Sequence, residues 1–188
     1  NLNGDVVVTS DSGAYTTGTG LWTYIAEGNI TGVSPNAGQD GVVVTITGEG
    51  LLGGGDAIAS VSLAGVDAFV QSGSDTEIQI RPFEGPAAGV QGDVLVTGST
   101  GGHVRLVNGW TYSGVQSVSP NYGQRGTVVV IEGIAMLGGG SSVTEVRLSQ
   151  VVATEIISAN STRIEVIADH NQVFTEQAGD VVILMDNA

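Results

Sequence analysis

Three aspartates hold one recurring position: Asp5, Asp93 and Asp180 each follow a glycine and precede a valine that opens an alternating apolar run. A carboxylate in that place can serve a divalent cation or cap a backbone N–H. Calcium needs about six to eight converging oxygens, as an Asp-x-Asp-x-Asp loop supplies. No such loop occurs in the sequence. The expectation is a cap on the aspartate's own local turn. His103 and His170 fall at non-equivalent places, with no Ser or Asp constellation repeating beside them, and read as surface residues rather than members of a triad. The tracts Gly53-Gly54-Gly55 and Gly138-Gly139-Gly140 invite comparison with phosphate loops, but those need a helix behind them and usually a Lys-Ser/Thr pair. Strand-type sequence follows both tracts and the chain has no lysine. Glycines of this kind suit the close approach of a neighbouring domain's backbone. Cysteine is absent too, which removes thiolate nucleophiles and thiolate metal sites. The chain is expected to be non-enzymatic, with no catalytic, metal or cofactor-binding residue.

Two features remain with chemistry of another kind. Asn29-Ile30-Thr31 and Asn160-Ser161-Thr162 are N-glycosylation sequons. Asn160 falls in a predicted loop before a strand, and Asn29 in a joint between units, beside Ile30, which should turn inward. The dipeptide-spaced aromatics Trp22 and Tyr24, and Trp110 and Tyr112, lie on predicted strands and are expected to pack in a core.

These positions are organised by an internal repeat. Residues 117–133 restate residues 32–48, with Pro35 and Pro120 standing 85 positions apart, and Leu51-Leu52-Gly53-Gly54-Gly55 returns at the same offset as Met136-Leu137-Gly138-Gly139-Gly140. Trp22-Thr23-Tyr24 returns as Trp110-Thr111-Tyr112, 88 positions on. No stretch has a helical period. Apolar residues alternate instead over short runs bounded by Gly, Asn, Pro and Asp, as in Val61 and Leu63, Ile78 and Ile80, and Val94 and Val96, with counterparts in Val146 and Leu148, Ile164 and Val166, and Val181 and Ile183. About seven short strands per unit, with turn signals every 8–12 residues or so, is the arithmetic of an immunoglobulin-like sandwich. The fold class is therefore all-β, as tandem immunoglobulin-like β-sandwiches.

Composition narrows the partners. The net charge is −14, with five arginines as the whole basic complement, so neither a phosphate backbone nor an anionic membrane surface finds a basic face. No apolar run approaches the roughly 20 residues that cross a bilayer, so membrane insertion is not expected. Charged residues make up only 13%, against about 25% in an ordinary soluble domain. The surface falls to 16 Ser, 17 Thr and 30 Gly, which suits secreted proteins that are glycosylated or packed against copies of themselves.

The run Ser117-Val118-Ser119-Pro120 with its following glycines, the Leu-Gly-Gly-Gly turn, the Gly-Asp-Val strand and the closing Trp-Thr-Tyr together resemble the IPT/TIG domain, the immunoglobulin-like fold of plexins and some transcription factors. The resemblance covers the whole chain. It implies a fold and a habit of forming long extracellular arrays, and it implies no catalytic residue. The chain departs from both branches, having neither the Cys-rich neighbours of the receptors nor the basic loops of the DNA-binding members.

In those terms residues 1–28 correspond to the last two strands of a preceding unit, 29–113 to a complete unit, and 114–188 to a unit without its closing strand. The chain reads as a two-period window of a longer array. Gly20, Leu21, Trp22, Thr23 and Tyr24 form a candidate inter-subunit strand. The expected function is a structural repeat of a secreted or cell-surface protein that assembles head to tail, covalently or by strand complementation, into an extracellular fibre. Its partners would be copies of itself and candidate glycans. The alternative is a carbohydrate-binding or spacer module of a bacterial secreted enzyme or adhesin.

Overall fold

A computed structural model of the chain describes residues 2–170 and 178–186. Among the described residues every regular element is a strand, as expected for the all-β class.

The chain opens with β1 (Leu2–Thr9) and β2 (Tyr15–Tyr24), which pair only with each other as an antiparallel ribbon. The middle unit follows: β3 (Asn29–Ser34), β4 (Ala37–Gly38), β5 (Val44–Glu49), β6 (Ile58–Leu63), β7 (Val66–Gly73), β8 (Glu77–Pro82), β9 (Gln91–Gly98) and β10 (His103–Tyr112). These form one ribbon of order β3-β5-β8-β7-β6-β9-β10-β4. It folds into two layers because β7 pairs with β6 over residues 66–68 and with β8 over residues 68–73. The inner faces carry the alternating residues of the sequence: Val44, Ile46, Val61, Leu63, Ile78, Ile80, Val94 and Val96 are all buried, with Trp110 and Tyr112 among them. Alternation at a period of two puts one set of side chains inward along each strand, and burying that set is what holds the layers together.

The terminal unit has β11 (Gly114–Ser119), β12 (Val128–Ile134), β13 (Val143–Leu148), β14 (Val151–Val152), β15 (Glu155–Ala159), β16 (Arg163–Ile167) and β17 (Val181–Met185). Its two sheets run β11-β12-β16-β15 and β14-β13-β17 around a separate core of Val129, Ile131, Met136, Val146, Ile164 and Val166. Position by position, β17 is the counterpart of β9. On the side where β10 flanks β9, no described strand lies beside β17.

Candidate functional site

The features that distinguish one part of this molecule from another lie at its two ends and at the joint between its units. Each begins with a residue that performs a definite task in the complete middle unit.

In that unit β10 closes the sandwich. Trp110 and Tyr112 are fully buried, their rings meeting edge to face at a centroid distance of 5.9 Å. The Tyr112 hydroxyl donates to the Leu63 carbonyl at 3.4 Å, and burial pushes the phenol's pKa up. Gly38 is buried beneath the Trp110 ring, where an added Cβ would stand 3.2 Å from Cη2 and 2.8 Å from Val42 Cγ1, so no side chain fits there. β4 then lies parallel to β10, with Ala37 beside Thr111 and Gly38 beside Tyr112.

The recurring aspartate does something the sequence did not suggest. Asp93 Oδ1 accepts the N–H of Asn108 at 2.9 Å, across the hairpin and 15 residues away. Asn108 sits at φ 52° inside the bulge that interrupts the β9–β10 register between Leu106 and Trp110. The cap therefore steadies a left-handed residue at a bulge. That N–H, followed by the Arg105 guanidinium, holds the Asp93 carboxyl below its usual range. In the ribbon, Asp5 Oδ1 accepts the N–H of Gly20 at 2.8 Å, with Gly20 at φ 65°. Both caps are thus cross-strand, which corrects the expectation of a local turn. The third copy, Asp180, is exposed, and its carboxylate has no hydrogen bond among the described residues.

The ribbon also keeps the aromatic geometry of β10. Trp22 and Tyr24 meet edge to face at 5.7 Å, and Trp22 pairs with Gly4 as Trp110 pairs with Gly92. Burial does not follow. Trp22 is 53% exposed, Tyr24 66% and Leu21 74%, against zero for Trp110 and Tyr112. The expectation of core packing is corrected for Trp22 and Tyr24, because periodicity names the face of a strand and not whether a second layer covers it.

At the other end the corresponding positions of the terminal unit are less buried. Leu63, Val94 and Val96 are buried in the middle unit, whereas their counterparts Leu148, Val181 and Ile183 are only half-buried. Gly123, the counterpart of Gly38, is exposed and belongs to no strand. Ser149 Oγ is buried, without a partner among the described residues, against Gly179, the counterpart of the glycine that faces Trp110.

The joint between the units is tightly made. Ser113 alone links β10 to β11, and it is buried. Its N–H donates to the Gly38 carbonyl at 2.9 Å, and its carbonyl accepts Gln39 Nε2 at 2.6 Å. Gln39 Oε1 accepts the Gly85 N–H at 3.1 Å, so one side chain pins the linker to a loop of the middle unit. The second glycine tract packs across the joint. A Cβ on Gly139 would lie 2.6 Å from the Pro35 ring, and one on Gly138 would lie 3.9 Å from Gly38 Cα. The first tract meets the amino-terminal linker in the same way, with Gly54 against Ile25 Cδ1. Residues 25–28 span that first joint, so it is three residues longer than the second.

The remaining candidates are placed as follows. Asn29 is exposed on β3 with Ile30 buried beside it. Asn160 is exposed, and its Oδ1 accepts the N–H groups of Thr162 and Arg163 at 2.9 and 2.8 Å, with no partner for Nδ2 among the described residues. Ser74 builds the same turn in the middle unit through its hydroxyl. His103 contacts Thr97 and His170 contacts Asp169, both exposed. Among the described residues no three His, Asp or Glu side chains converge as metal ligands, and no helix is long and apolar enough to cross a membrane.

Two packed β-layers with this strand order make an immunoglobulin-like sandwich. Residues 29–112 match the family model described as the IPT/TIG domain. No curated protein matches the chain. Among solved structures, the full extracellular region of plexin A4 (domains 1 to 8) is 22% identical at a TM-score of 0.47, covering 86% of this chain and 17% of its own. The surface glycan-binding protein PbSGBP-B from Prevotella bryantii is 12% identical at a TM-score of 0.36, covering 87% of this chain and 40% of its own. A further surface glycan-binding protein, SGBP-B from a complex xyloglucan utilization locus in Bacteroides uniformis, is 11% identical at a TM-score of 0.34, covering 86% and 47% respectively. This chain thus spans less than half of each of these proteins.

Proposed function

We propose that the chain is a structural repeat segment of a secreted or cell-surface protein, built to continue head to tail into an extracellular fibre. The observation that carries this is a repeat unit that recurs along the chain, its closing-strand aromatics buried in one copy and exposed in another. A ribbon with the pairing, aromatic geometry and aspartate cap of β9–β10 stands at one end with its apolar face in solvent. At the other, among the described residues, no strand lies beside β17 on the side where β10 flanks β9. The same repeat unit fits both ends, and a contact between unlike ends propagates rather than closes unless its rotation makes a ring. In this reading 114–188 is a second IPT/TIG unit, and the half-buried counterparts of Leu63, Val94 and Val96 are the positions that the next unit's strand covers. The low charge and the Ser, Thr and Gly surface favour packing between copies over recognition of polyanions.

The test is imaging of the native material. Antibodies against residues 29–112 should decorate surface filaments about one sandwich wide, seen by electron microscopy of sheared fibres. If the label falls instead on isolated surface proteins that bind immobilised glycans saturably, the fibre reading fails and the carbohydrate-binding alternative replaces it.

A further inference from the structure

We infer that the outer face of β5, β8 and β7 in the middle unit is a lateral contact, occupied by the same face of a second copy about a two-fold axis. The contact is separate from any head-to-tail joint and lies wholly within the middle unit. It is built on four residues. Phe69 of β7 lies opposite Arg81 of β8, and Ala68 lies opposite Pro82. One step further along each strand, alternation carries Asp67 and Phe83 to the outer face beside each other. All four are exposed, the two phenylalanines by 57% and 52%. Val43 adds a third exposed apolar side chain, next to Arg81 on β5's side.

The internal repeat shows that the fold does not ask for these side chains. The terminal unit has the same four-strand order, β11-β12-β16-β15 for β3-β5-β8-β7. Its matching row is Val128, Ile167 and Glu155, with Ile167 opposite both of the others. Glu155 thus stands for Phe69, Ile167 for Arg81 and Asp169 for Phe83. The inward residues keep their kind, Ile78 and Ile80 returning as Ile164 and Val166. Large apolar side chains held in solvent, where the sister unit does without them, mark an interaction surface. Phe and Arg are types enriched in such surfaces.

Arg81 also stands apart from the other arginines. Arg105, Arg125, Arg147 and Arg163 each lie against a carboxylate, of Asp93, Asp169, Glu145 and Glu165 in turn. Arg81 instead donates to the Gly41 carbonyl at 2.8 Å, which steadies the side chain and leaves further guanidinium N–H groups for a partner. Among the described residues neither Arg81 nor Asp67 enters an ion pair.

The pattern itself selects the occupant. The four residues form a square, with the phenylalanines on one diagonal and the unlike charges on the other. A two-fold axis lying in the face along the Phe69–Phe83 diagonal brings each phenylalanine onto its equivalent. The same rotation sets Asp67 over Arg81 of the second copy, and Arg81 over its Asp67. Isologous contacts require self-complementarity of this kind. Charge disfavours other occupants. Copies carrying −14 repel unless opposite charges are placed between them, and a polyanion would meet Asp67 and Glu84 beside the single arginine. With β3 the face is about 19 Å wide and about 20 Å along its six-residue strands. That footprint is about half of the roughly 800 Å² each partner gives to a standard interface. One pair of faces therefore binds weakly, and copies held in an array reinforce it.

Charge exchange tests the pairing, in the 188-residue protein by sedimentation velocity at low ionic strength. The parent should dimerise reversibly below millimolar concentration. Asp67→Arg and Arg81→Asp should each weaken dimerisation by roughly 10-fold or more, because the axis applies every like-charge contact twice. An equal mixture of these two variants should recover association to within about 3-fold of the parent, since each charge of one then meets its opposite on the other. Phe69→Ser combined with Phe83→Ser should weaken it by roughly 30-fold, with a circular dichroism spectrum like the parent's. A parent that stays monomeric into the millimolar range overturns the inference. A mixture that associates no better than its two components overturns it as well. Saturable binding of monomeric protein to dextran, lost in the double phenylalanine variant, would give the face to a neutral glycan instead. Dimers of the expected charge dependence without filaments in the native material would remove the head-to-tail reading and leave this contact standing.

Discussion

The two tryptophans occupy one repeat position in opposite surroundings, so a single substitution made at each separates local burial from sequence pattern. Trp110 is fully buried and Trp22 is about half exposed. A Trp side chain buries about 150–250 Å², worth on the order of 4–6 kcal/mol at about 25 cal/mol per Å². Trp110→Ala loses most of that and opens a cavity beneath Gly38 and against the Tyr112 ring. One term runs the other way. The Trp110 Nε1–H is buried without an acceptor among the described residues, and removing an unsatisfied donor returns about 1–3 kcal/mol. The net cost should be about 3–5 kcal/mol for the middle unit. Trp110→Phe keeps much of the ring and discards the orphan N–H, so it should cost less than half as much. Trp22→Ala, in dilute protein, should stay within about 0.5 kcal/mol, as exposed substitutions do. Urea unfolding followed by far-ultraviolet circular dichroism gives all three, the two units being resolved as separate transitions if they unfold independently. A Trp110→Ala protein within about 0.5 kcal/mol of the parent would refute the assignment of β10 as the closing strand.

Other expectations follow from the joint, the caps and the sequon. Gln39→Ala should cost about 1 kcal/mol by denaturation, the net value of a hydrogen bond, and should broaden the inter-unit angle seen by small-angle X-ray scattering. Gly139→Ala places a Cβ into the Pro35 ring at φ 89°, and should lower the stability of the joint by about 1–3 kcal/mol, the scale of local strain. The carboxyls of Asp93 and Asp186 are held below their usual range, Asp93 first by the Asn108 N–H and Asp186 first by the Ser141 hydroxyl. Their contribution is therefore complete above the ordinary carboxylate pKa and is lost as pH falls through the lowered folded values. Acid titration of the melting temperature should show this, and Asp93→Asn should flatten the part due to Asp93. If native material comes from a eukaryotic source, intact mass should show a glycan at Asn160, which lies in an exposed turn, and an unmodified Asn160 there would count against it.

Much of the sandwich was legible because alternation and an internal repeat are both local properties. Val61 and Leu63, Ile78 and Ile80, and Val94 and Val96 are all inward as their spacing predicts. The exposure of Trp22 was not legible, since its sequence neighbourhood is nearly that of Trp110 and only the absence of a covering layer differs. The tasks of Asp5 and Asp93 were hidden for another reason. A β-bulge brings a residue 15 positions away onto the carboxylate, and nothing in the flanking triplet records that distance. Gln39 stood inside the repeated motif from the start, but its partner Ser113 is 74 residues distant and its role depends on tertiary packing.

The unequal joints have a mechanical meaning. Ser113 is one residue held by two hydrogen bonds to the middle unit, from its N–H to Gly38 and to its carbonyl from Gln39, whereas residues 25–28 reach up to about 13 Å when extended. A tether made of such units has two kinds of vertebra: one that transmits torque, because its linker is bolted to the preceding sandwich, and one that yields to bending. Load along such a tether would straighten the longer joints first and reach the clamped ones only afterwards. Compliance and stiffness are thereby placed in two different joints of one polypeptide.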